Sequence, residues 1–240
     1  MEMREKQSAD LSIVMPCLNE ADAVGISVKE AFAFMEKNQI QGEVLVVDNG
    51  SEDASSEAAE KAGAKVIRQP KRGYGSAIRT GIARSRGGVI IIGDCDTTYD
   101  FLHLEEMYRM LSAGEWDMVI GNRFAGGMEP GSMPLSHKWG VRFLSWVGRA
   151  ALGTDIYDFH CGLRGLTRSA AEKMELHTDG MEFATEMIAQ AVKTGLSIAQ
   201  TPVVLRKCSC RRKSKLRTIR DGLRHLLYMI QIPGKRRYVL

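Results

Sequence analysis

The pattern of hydrophobic positions predicts strands that alternate with helices. Residues 89–92 are four consecutive β-branched residues, which is typical of a strand buried on both faces of a parallel sheet. Similar short apolar runs occupy residues 11–16 and 43–48, and residues 22–38 carry apolar positions at helical spacing. This alternation predicts right-handed βαβ units and therefore an α/β fold with a doubly wound, mostly parallel sheet flanked by helices.

The same patterns predict the remaining elements. Further strands are expected at 64–67, 116–120 and 196–205, and further helices at 54–62, 73–85, 101–113, 136–152, 181–194 and 218–232. Pro16 should end the first strand, since proline cannot donate to a strand ladder. The aromatic residues Trp139, Phe143 and Trp146 favour packing in the core over an exposed lipid groove. The Gly-rich segment 125–133 is long enough to form a mobile cover over a site.

Composition and charge add an asymmetry to this picture. The 240 residues are 44% hydrophobic and 26% charged, which is ordinary for a soluble globular protein of one large or two small domains. From Arg206 onward there are twelve basic residues and one acid, a net charge of +11, whereas the preceding residues carry −7. A basic end on an acidic body indicates a local anionic partner, such as a phosphate group or a membrane surface, rather than nucleic acid.

The cysteines and the ends of the chain suggest a compartment. Five cysteines, none in a C-x-x-C pair, argue for reducing surroundings and against a disulfide framework or a zinc site. No apolar run approaches the roughly 18 residues that a membrane span needs. Residues 1–10 lack the apolar core of a signal peptide. These features predict a cytoplasmic protein.

Acidic residues follow the ends of the predicted strands. Asp94 and Asp96 come directly after the run at 89–92. Asp48 ends the second predicted strand, and Glu20 lies just beyond the first. Because ligands bind outside the carboxyl ends of the strands in open α/β sheets, we expect these acids to lie at one edge of the sheet, with Asp48, Asp94 and Asp96 around one Mg²⁺ or Mn²⁺ ion. The alternative for a lone D-x-D is an ordinary surface turn.

A dinucleotide-binding fold is disfavoured. The first predicted strand is followed by residues 16–20, Pro-Cys-Leu-Asn-Glu, and not by G-x-G-x-x-G. Gly73 and Gly75 form a lone G-x-G without the third glycine at the required spacing. The sequence therefore argues against a nicotinamide or flavin enzyme.

Several motifs occur in a fixed order over residues 11–230. They are P-x-x-N-E at 16–20, V-V-D-N-G-S-x-D-x-S at 46–55, K-R-G-Y-G at 71–75, D-x-D-x-T-Y-D at 94–100, G-N-R-F at 121–124, D-F-H-C-G-L-R-G at 158–165, S-K-L at 214–216 and D-G-L-R-H-L at 221–226. Together they resemble the family 2 glycosyltransferases of GT-A fold, specifically the polyprenyl-phosphate sugar synthases such as dolichyl-phosphate mannose and glucose synthases. Thr97 and Thr98 stand where mannose synthases often carry a Gln, so the chain looks closer to the glucose-synthase-like branch.

The resemblance implies a pocket for a UDP- or GDP-hexose donor. Its residues would be Pro16, Leu18, Glu20, Asp48, Ser51, Asp53, Gly73, Asp94, Cys95, Asp96 and Arg123. Asp96, with Asp94, would hold Mn²⁺ or Mg²⁺ against the diphosphate. Arg123 would support phosphate charge.

The resemblance further implies a polyprenyl (undecaprenyl or dolichyl) phosphate acceptor and inverting transfer of a hexose. Catalytic roles would fall to Asp96, Asp158 and Arg164. Asp158 would assist the attack or only cap its loop, and Arg164 would bind phosphate or pair with Asp158. The acceptor phosphate would meet Arg142, Arg206, Arg211, Lys213, Ser214 and Lys215.

The expected organisation is a catalytic domain at 11–205 with a C-terminal extension at 206–240. The extension would comprise a basic acceptor loop and an amphipathic helix in the membrane interface. The enzyme would then be peripheral at the inner face of the membrane, with a homo-oligomer as an open expectation. Two alternatives stay open: a family 2 enzyme with a soluble saccharide or polymer acceptor, and a non-catalytic module that binds nucleotide or membrane.

Overall fold

In the computed structural model, which describes residues 9–208 and 218–231, seven strands form one sheet. The strands are β1 (Ala9–Cys17), β2 (Gly42–Asp48), β3 (Lys65–Arg68), β4 (Gly87–Ile92), β5 (Met118–Asn122), β6 (Arg164–Thr167) and β7 (Ile198–Pro202). The helices are α1 (Val24–Lys37), α2 (Ser55–Lys61), α3 (Tyr74–Arg84), α4 (Glu105–Ser112), α5 (Arg123–Gly126), α6 (Leu135–Leu152), α7 (Arg168–Lys173), α8 (Phe183–Lys193) and α9 (Thr218–Gln231).

The strand order is β3-β2-β1-β4-β6-β5-β7, and every pairing is parallel except those of β6. The predicted α/β class with a mostly parallel sheet is confirmed. Arg164, the first residue of β6, lies opposite Ile92 and Ile120, near the carboxyl ends of β4 and β5. The loop that precedes an antiparallel strand therefore reaches the same edge of the sheet as the loops that follow the parallel strands.

The centre of the sheet is the core of the molecule. Ile90, Ile91 and Ile92 of β4 have no exposed surface, which confirms the prediction of a strand buried on both faces. Each such side chain contributes about 1.5–3 kcal/mol through removal of apolar surface from water. The buried end of β4 therefore fixes the position at which the acidic residues after it begin.

One prediction about the sheet is wrong, and one strand was not predicted. Pro16 does not end β1, which continues to Cys17. The β1–β4 pairing stops at Val14 and Ile92, so Pro16 lies beyond the ladder in which its missing N–H would be needed. The short strand β6 begins at Arg164, within the motif at 158–165, and no apolar run in the sequence indicates it.

The aromatic residues of α6 do not pack in the core, contrary to expectation. Trp139 is 72% exposed, and Phe143 and Trp146 are 56% and 59% exposed. The buried positions of α6 are instead Ser145, Gly148 and Leu152. A Cβ atom on Gly148 would lie 2.5 Å from the ring of Phe159, so the helix approaches its neighbour too closely for a large side chain.

No helix within the described residues has the length and the apolar character needed to cross a membrane.

Candidate active site

The centre of the candidate site is the loop of residues 93–100 after β4, here called the D-x-D loop. The Cys95 thiol donates to the carbonyl of Pro16 at 3.3 Å, which ties the loop to the end of β1. Thr98 N–H donates to Asp96 Oδ1 at 3.1 Å. Thr97 has φ 65°, a left-handed conformation that is costly for a β-branched residue and that persists where the surroundings fix it. The orientation of Asp96 is therefore built into the loop.

The segment of residues 158–163, here called the Asp158 loop, docks on the D-x-D loop. Gly162 N–H donates to the Tyr99 hydroxyl oxygen at 2.7 Å. A Cβ atom on Gly162 would lie 2.5 Å from Asp94 Oδ2, so glycine is needed for this approach. Burial, reinforced by the neighbouring Cys161 thiol, raises the pKa of Tyr99 well above its ordinary value. Tyr99 is therefore a neutral phenol beside the acids.

The K-R-G-Y-G motif reaches Asp94 from a third direction. Burial, the Asp94 charge and a hydrogen bond to Asp94 raise the pKa of Tyr74 well above its ordinary value. Gly73 has φ 147°, and a Cβ atom there would lie 2.2 Å from the Asp179 carbonyl oxygen. Its N–H donates to Asn49 Oδ1 at 2.6 Å. The motif is thus fixed between the loop after β2 and the D-x-D loop.

The loops after β1 and β2 are joined by hydrogen bonds from backbone N–H groups to side-chain oxygens. Asn19 N–H donates to Ser51 Oγ at 2.9 Å, and Ala21 N–H donates to Asp53 Oδ2 at 3.2 Å. Asn19 has a left-handed φ of 52°, which asparagine tolerates better than most residues. Leu18, half-buried, lies in the same β1 loop. The structure therefore brings most predicted donor-pocket residues to one end of the sheet.

The buried Glu20 is part of the same hydrogen-bond network, since its N–H donates to Ser55 Oγ at 2.7 Å. The charge of Glu20 also affects the pKa of Cys95 in the D-x-D loop. The pKa of Cys95 is raised well above its ordinary value by the hydrogen bond with Cys17 and by burial, with smaller contributions from the charges of Glu20 and Asp96. The acid after β1 and the D-x-D acids therefore share one electrostatic environment.

Asp48 does not join the acids of the D-x-D loop. Its Oδ1 accepts from Ser51 N–H at 2.9 Å and its Oδ2 accepts from the Ser56 hydroxyl at 3.2 Å, and β1 lies between β2 and β4. Across the described ranges, no group of three or more His, Cys, Asp or Glu residues could hold a metal ion. The expectation that Asp48, Asp94 and Asp96 meet around one cation is therefore wrong.

The two carboxylates of the D-x-D loop still fit a divalent cation. Mg²⁺ and Mn²⁺ prefer hard oxygen ligands, and Mg²⁺ in particular usually takes one or two carboxylates and completes its shell with substrate phosphates and water. Asp94 and Asp96 offer such a donor set at the carboxyl end of β4. A protein-only metal cage is not required for this chemistry.

Asp158 is held by Arg123. Arg123 Nε and Nη2 donate to the two Asp158 carboxylate oxygens at 2.7 Å each, and the Arg123 N–H donates to Oδ2 at 3.1 Å. Asp158 is 0% exposed and Arg123 7% exposed. Burial alone would lower the pKa of Arg123, but the electrostatic effects of Tyr99 and Asp158 and the hydrogen bonds to Asp158 raise it well above its ordinary value. Of the two roles left open for Asp158, this geometry favours the structural one.

One of the two roles expected for Arg164 was to pair with Asp158. It does not do so, because Arg123 binds both carboxylate oxygens of Asp158. Arg164 is 2% exposed and donates to the backbone carbonyls of Cys161, at 2.8 Å, of Phe159 and of Ala184. Burial lowers its pKa. Its donors therefore hold the Asp158 loop against α8 and are not directed to a phosphate in this conformation.

Two histidines that sequence reasoning missed join α9 to the Asp158 loop. The rings of His160 and His225 meet edge to face with centroids 4.3 Å apart. His225 Nδ1 shares a hydrogen bond of 2.8 Å with the Thr185 hydroxyl. Burial and the nearby Arg164 charge lower the pKa of His225 to about 4, and burial and His225 lower that of His160 well below its ordinary value. The sequence signal that could have identified them is that His160 lies in the motif at 158–165 and His225 in the motif at 221–226.

Arg206, predicted to bind the acceptor phosphate, is instead paired with two acidic side chains. It forms ion pairs with Glu30, at 2.8 Å, and with Asp100. Its N–H donates to the Thr98 carbonyl at 2.9 Å. The start of the basic segment is thus fastened to the D-x-D loop. The other predicted phosphate ligands of that segment, Arg211, Lys213, Ser214 and Lys215, lie outside the described residues.

A cavity of about 380 Å³ lies beside the Arg123–Asp158 pair. Its lining combines cations with apolar groups: Arg123, Phe124, Gly127, Met128, Leu135, Lys138, Trp139 and Arg142. Arg142 stacks over the Phe124 ring at 4.9 Å. The Gly-rich segment that was expected to cover a site supplies part of this wall, and a bridge from Met128 to Leu205 holds it. Arg142, the other described acceptor candidate, is therefore in a basic, apolar hollow.

The cysteines divide into two kinds. Cys17, Cys95 and Cys161 are free and buried, and burial raises the pKa of Cys161 to about 11. Cys208 is disulfide-bonded, which departs at that position from the expectation of reduced cysteines.

Comparison with known proteins shows the family. The family described as Glycosyl transferase family 2 matches residues 12–175. The chain is 38% identical over 226 residues to the low-salt glycan biosynthesis hexosyltransferase Agl6 of Haloferax volcanii, covering 93% of this chain and 54% of that protein. The chain thus spans about half of that relative's length.

Other relatives are covered more fully. A dolichyl-phosphate hexose transferase of Haloferax volcanii is 29% identical, with 85% of this chain and 86% of the relative aligned. The dolichyl-phosphate beta-glucosyltransferase of Mus musculus is 30% identical, with 83% and 68% aligned.

Solved structures share the fold. Glucosyl-3-phosphoglycerate synthase of Mycobacterium tuberculosis superimposes with a TM-score of 0.74 at 21% identity, over 96% of this chain and 83% of that one. The same synthase in complex with Mn²⁺, UDP and glucosyl-3-phosphoglycerate gives a TM-score of 0.73 at 21% identity, with the same coverage. These similarities confirm the GT-A fold class. With its ordered motifs, its D-x-D loop and this family match, the chain belongs to glycosyl transferase family 2.

Proposed function

We propose that this protein transfers a hexose from a nucleoside-diphosphate sugar to a polyprenyl phosphate, with inversion and with the aid of a divalent cation. The observation that carries the proposal is the convergence on the D-x-D loop of the K-R-G-Y-G motif, the Asp158 loop and the start of the basic segment. The names of relatives that act on dolichyl phosphate support the choice of acceptor.

The donor would lie against the loops after β1, β2 and β4. Asp48, Asp53 and Glu20 supply acceptors for the hydroxyl and N–H groups of ribose and base. Asp94 and Asp96 would hold Mn²⁺ or Mg²⁺, which supplies stabilisation of the charge on the departing nucleoside diphosphate. Tyr74 orients Asp94 as a neutral hydrogen-bonding group, so the negative charge of the carboxylate is kept for the cation.

The acceptor phosphate would lie in the cavity lined by Arg142 and Lys138. One of its oxygens attacks the anomeric carbon of the hexose while the bond from that carbon to the diphosphate oxygen breaks on the opposite face, so the configuration inverts. A phosphate monoester is already anionic near neutral pH and needs little help from a base. The engagement of both Asp158 oxygens by Arg123 is consistent with such a mechanism.

The test is a transfer assay with UDP-glucose and GDP-mannose in turn, with Mn²⁺, and with undecaprenyl or dolichyl phosphate as acceptor. Wild-type protein should convert one donor to a lipid-extractable product, and Asp96→Asn should lose at least two orders of magnitude of that rate, in the range expected when a charge-stabilising group is removed. Asp155→Asn, which changes an exposed acid between α6 and β6, should keep full activity. Full activity of Asp96→Asn would refute the metal role.

The same assay separates the two acceptor classes. With phosphoglycerate or free saccharides in place of the lipid phosphate, the proposal expects no product. Equal transfer to a soluble acceptor would instead favour the alternative that the fold neighbours represent, since glucosyl-3-phosphoglycerate synthase was solved with phosphoglyceric acid.

In this proposal residues 11–205 form the catalytic domain and 206–240 its acceptor-side extension. The enzyme would work at the cytoplasmic face of the membrane, where a lipid phosphate and a sugar nucleotide can meet. The +11 charge of the extension would draw it to anionic head groups.

A further inference from the structure

A buried carboxylate on α8 holds the connection between α7 and α8. Glu186 is 2% exposed, and its two oxygens accept three hydrogen bonds from residues 176–180, here called the strap. His177 N–H donates to Oε1 at 2.8 Å, and Thr178 donates to Oε2 through its N–H at 2.9 Å and its hydroxyl at 2.6 Å. A carboxylate that is removed from water is costly unless such donors satisfy it. The strap is therefore fixed to α8 at Glu186.

The strap in turn covers the first turn of α3. The Asp179 carbonyl oxygen accepts from Gly75 N–H at 2.8 Å and from Ser76 N–H at 3.3 Å. These are two of the donors that a helix leaves without an internal partner at its N-terminus. A Cβ atom on Gly75 would lie 2.8 Å from the Cβ atom of Phe183 in α8. The first turn of α3 is therefore packed directly against the strap and the start of α8.

Cations of α3 and of the K-R-G-Y-G motif hold the strap from the other side. Arg79 Nη1 donates to the His177 carbonyl oxygen at 2.7 Å, and its Nη2 pairs with the Asp179 carboxylate. Lys71 Nζ pairs with the other oxygen of that carboxylate at 2.5 Å. Lys71 is exposed, so water and salt screen its ion pair. Glu186 is buried, and its hydrogen bonds are therefore the firmer attachment of the strap.

Tyr74 carries this arrangement to the D-x-D loop. It is the first residue of α3 and lies between Gly73 and Gly75, both of which approach the strap closely. Its hydroxyl shares a hydrogen bond with Asp94. A shift of the first turn of α3 would move the Tyr74 ring and change this bond. Contacts therefore run without a break from Glu186 through the strap and α3 to Asp94.

We propose that Glu186 is a positioning residue for the sugar transfer, which fixes the strap and the first turn of α3 so that Tyr74 holds Asp94 in the orientation that binds the divalent cation. A carboxylate suits this place because it accepts at both oxygens, whereas a glutamine amide accepts at one and turns N–H donors towards the strap. The inference deepens the proposed function and rests on it for the assignment of Asp94 to the cation.

The test replaces Glu186 by its isostere glutamine in the full chain. In Glu186→Gln the kcat for transfer should fall about tenfold, and the Kd for Mn²⁺ in the presence of UDP, measured by calorimetry, should rise about tenfold. These values are the lower end of the range for loss of a group that orients a metal ligand. The KM for the lipid phosphate should change less than about twofold, because the cavity proposed for it is lined by residues of the segment 123–142.

Glu175→Gln is the matched control. It removes an exposed carboxylate from the same connection between α7 and α8, where Glu175 makes only a long ion pair of 3.8 Å with Lys193. This variant should keep the wild-type kcat and the wild-type Kd for Mn²⁺.

Hydrogen exchange reports on the strap itself and needs neither metal nor substrate. The amide protons of Gly75 and Ser76 should exchange about tenfold faster in Glu186→Gln than in the wild type, because their acceptor lies on the strap. Glu175→Gln should leave both exchange rates unchanged.

A double-mutant cycle shows whether Glu186 acts through Tyr74. Tyr74→Phe removes the hydroxyl that bonds to Asp94. Glu186→Gln/Tyr74→Phe should be no slower than Tyr74→Phe, because both changes interrupt the same series of contacts. Effects that multiply would mean that the two residues act independently, and would overturn the proposal.

Two further results would also overturn it. One is a Glu186→Gln protein with the wild-type kcat and Mn²⁺ affinity, even at a lower thermal midpoint, since Glu186 would then serve stability alone. The other concerns Thr178→Val, which removes only the hydroxyl donor to Glu186 and decides the question if Glu186→Gln does not fold. Thr178→Val should change kcat and the Kd for Mn²⁺ in the same directions by about threefold, in keeping with the loss of one hydrogen bond, and wild-type values of both would count against the proposal.

Failure of this inference is distinguishable from failure of the proposed function. A wild type that binds Mn²⁺ with UDP but transfers no hexose to lipid phosphate would refute the proposed function, while calorimetry and hydrogen exchange on Glu186→Gln still decide the inference. Transfer by the wild type together with an unchanged Glu186→Gln variant would refute the inference alone.

Discussion

Asp94 is the residue whose surroundings are most closely specified. Tyr74 bonds to it from α3, and Gly162 leaves room for its Oδ2 from the Asp158 loop. Burial raises the pKa of Tyr74 and of Tyr99, so both phenols stay neutral. A carboxylate positioned by neutral groups keeps its charge available for a cation, whereas an arginine at the same place would neutralise it.

Gly162→Ala tests this arrangement. The added methyl group would lie 2.5 Å from Asp94 Oδ2 and 3.2 Å from the Tyr99 ring, so the carboxylate must turn away. We expect the transfer rate to fall about tenfold or more, because displacement of a reacting group by about 1 Å has effects of this size. The half-saturating Mn²⁺ concentration in the assay should rise.

Gly88→Ala serves as the control for that variant. A Cβ atom there makes only an ordinary contact of 3.7 Å with the Asp10 carbonyl oxygen, and we expect wild-type kinetics. If Gly162→Ala matches the wild type in rate and in Mn²⁺ dependence, the close approach to Asp94 has no part in catalysis.

Spacing identified the acids but not their partners. Asp94, Asp96 and Asp158 stand out as carboxylates at strand ends or in a Gly-punctuated motif, and the structure finds them at one edge of the sheet. Which arginine binds Asp158 depends on the paths of β5 and β6. Arg164 lies six positions away and faces carbonyls, whereas Arg123 is 35 positions away and makes the pair. Side-chain direction of this kind is a tertiary property.

At the scale of elements, β6 is the strand that completes the site. Its antiparallel direction lets the Asp158 loop enter at the edge where β1, β2, β4 and β5 end. The repeated strand–helix pattern predicted the parallel strands well. A four-residue strand, Arg-Gly-Leu-Thr, has neither an apolar run nor alternation that would separate it from a loop.

The packing of α6 offers a test of stability. A Cβ atom on Gly148 would lie 2.5 Å from the Phe159 ring, so Gly148→Ala should overpack this contact and cost about 1–3 kcal/mol. Gly140→Ala lies on the same helix with no atom within 4 Å of the added methyl group, and it should be neutral or slightly stabilising. Urea denaturation measures both. Equal stability of the two variants would contradict the close approach of α6.

The link between the basic segment and the D-x-D loop predicts a kinetic effect. Arg206 pairs with Glu30 and Asp100, and these hydrogen bonds raise its pKa against the opposing effect of burial. Arg206→Met removes both pairs. We expect the KM for the lipid phosphate to rise about tenfold, since the segment would lose its anchor, while the KM for the sugar nucleotide changes less.

Lys207→Met is the matched control, because Lys207 is exposed and its backbone, not its side chain, bonds to Glu129. A similar rise in acceptor KM for both variants would point to general charge loss. It would then count against an anchoring role for Arg206.

For the whole molecule, the buried histidines predict acid sensitivity. The pKa of His225 falls from its ordinary value of 6.5 to about 4, chiefly through burial and then through the Arg164 charge. Between pH 6.5 and 4, His225 is therefore protonated in the unfolded chain but neutral in the folded state. Stability is unaffected above pH 6.5 and is lost as the pH falls from 6.5 towards 4, by about 3 kcal/mol from this residue.

His225→Phe removes this titration while it keeps a ring against His160. We expect a shallower loss of unfolding free energy between pH 6.5 and 4, measured by urea denaturation, although the Thr185 hydroxyl loses its partner and lowers stability at all pH values. His177→Gln, at an exposed position, should retain the wild-type slope. A wild-type slope in His225→Phe would assign the acid sensitivity to other groups.

Across the whole chain, the parts that follow from local pattern were predictable and the parts that depend on contact between distant segments were not. The α/β class, the parallel strands and the D-x-D position at the end of β4 follow from apolar runs and their order. The His160–His225 contact joins residues far apart in the chain. Trp139 points outward because α6 packs through its opposite side, where Gly148 closely approaches Phe159, and periodicity alone did not show which of the two sides faces the core.

The most direct test of the proposed reaction is the anomeric configuration of its product. Wild-type protein, Mn²⁺, α-linked UDP-glucose and undecaprenyl phosphate should yield a β-linked glucosyl phosphate lipid, measured by NMR of the lipid extract. That result would show in one measurement that the acceptor is a lipid phosphate and that attack inverts the anomeric carbon. An α-linked lipid, or hexose recovered only in water-soluble products whichever sugar nucleotide is supplied, would contradict it.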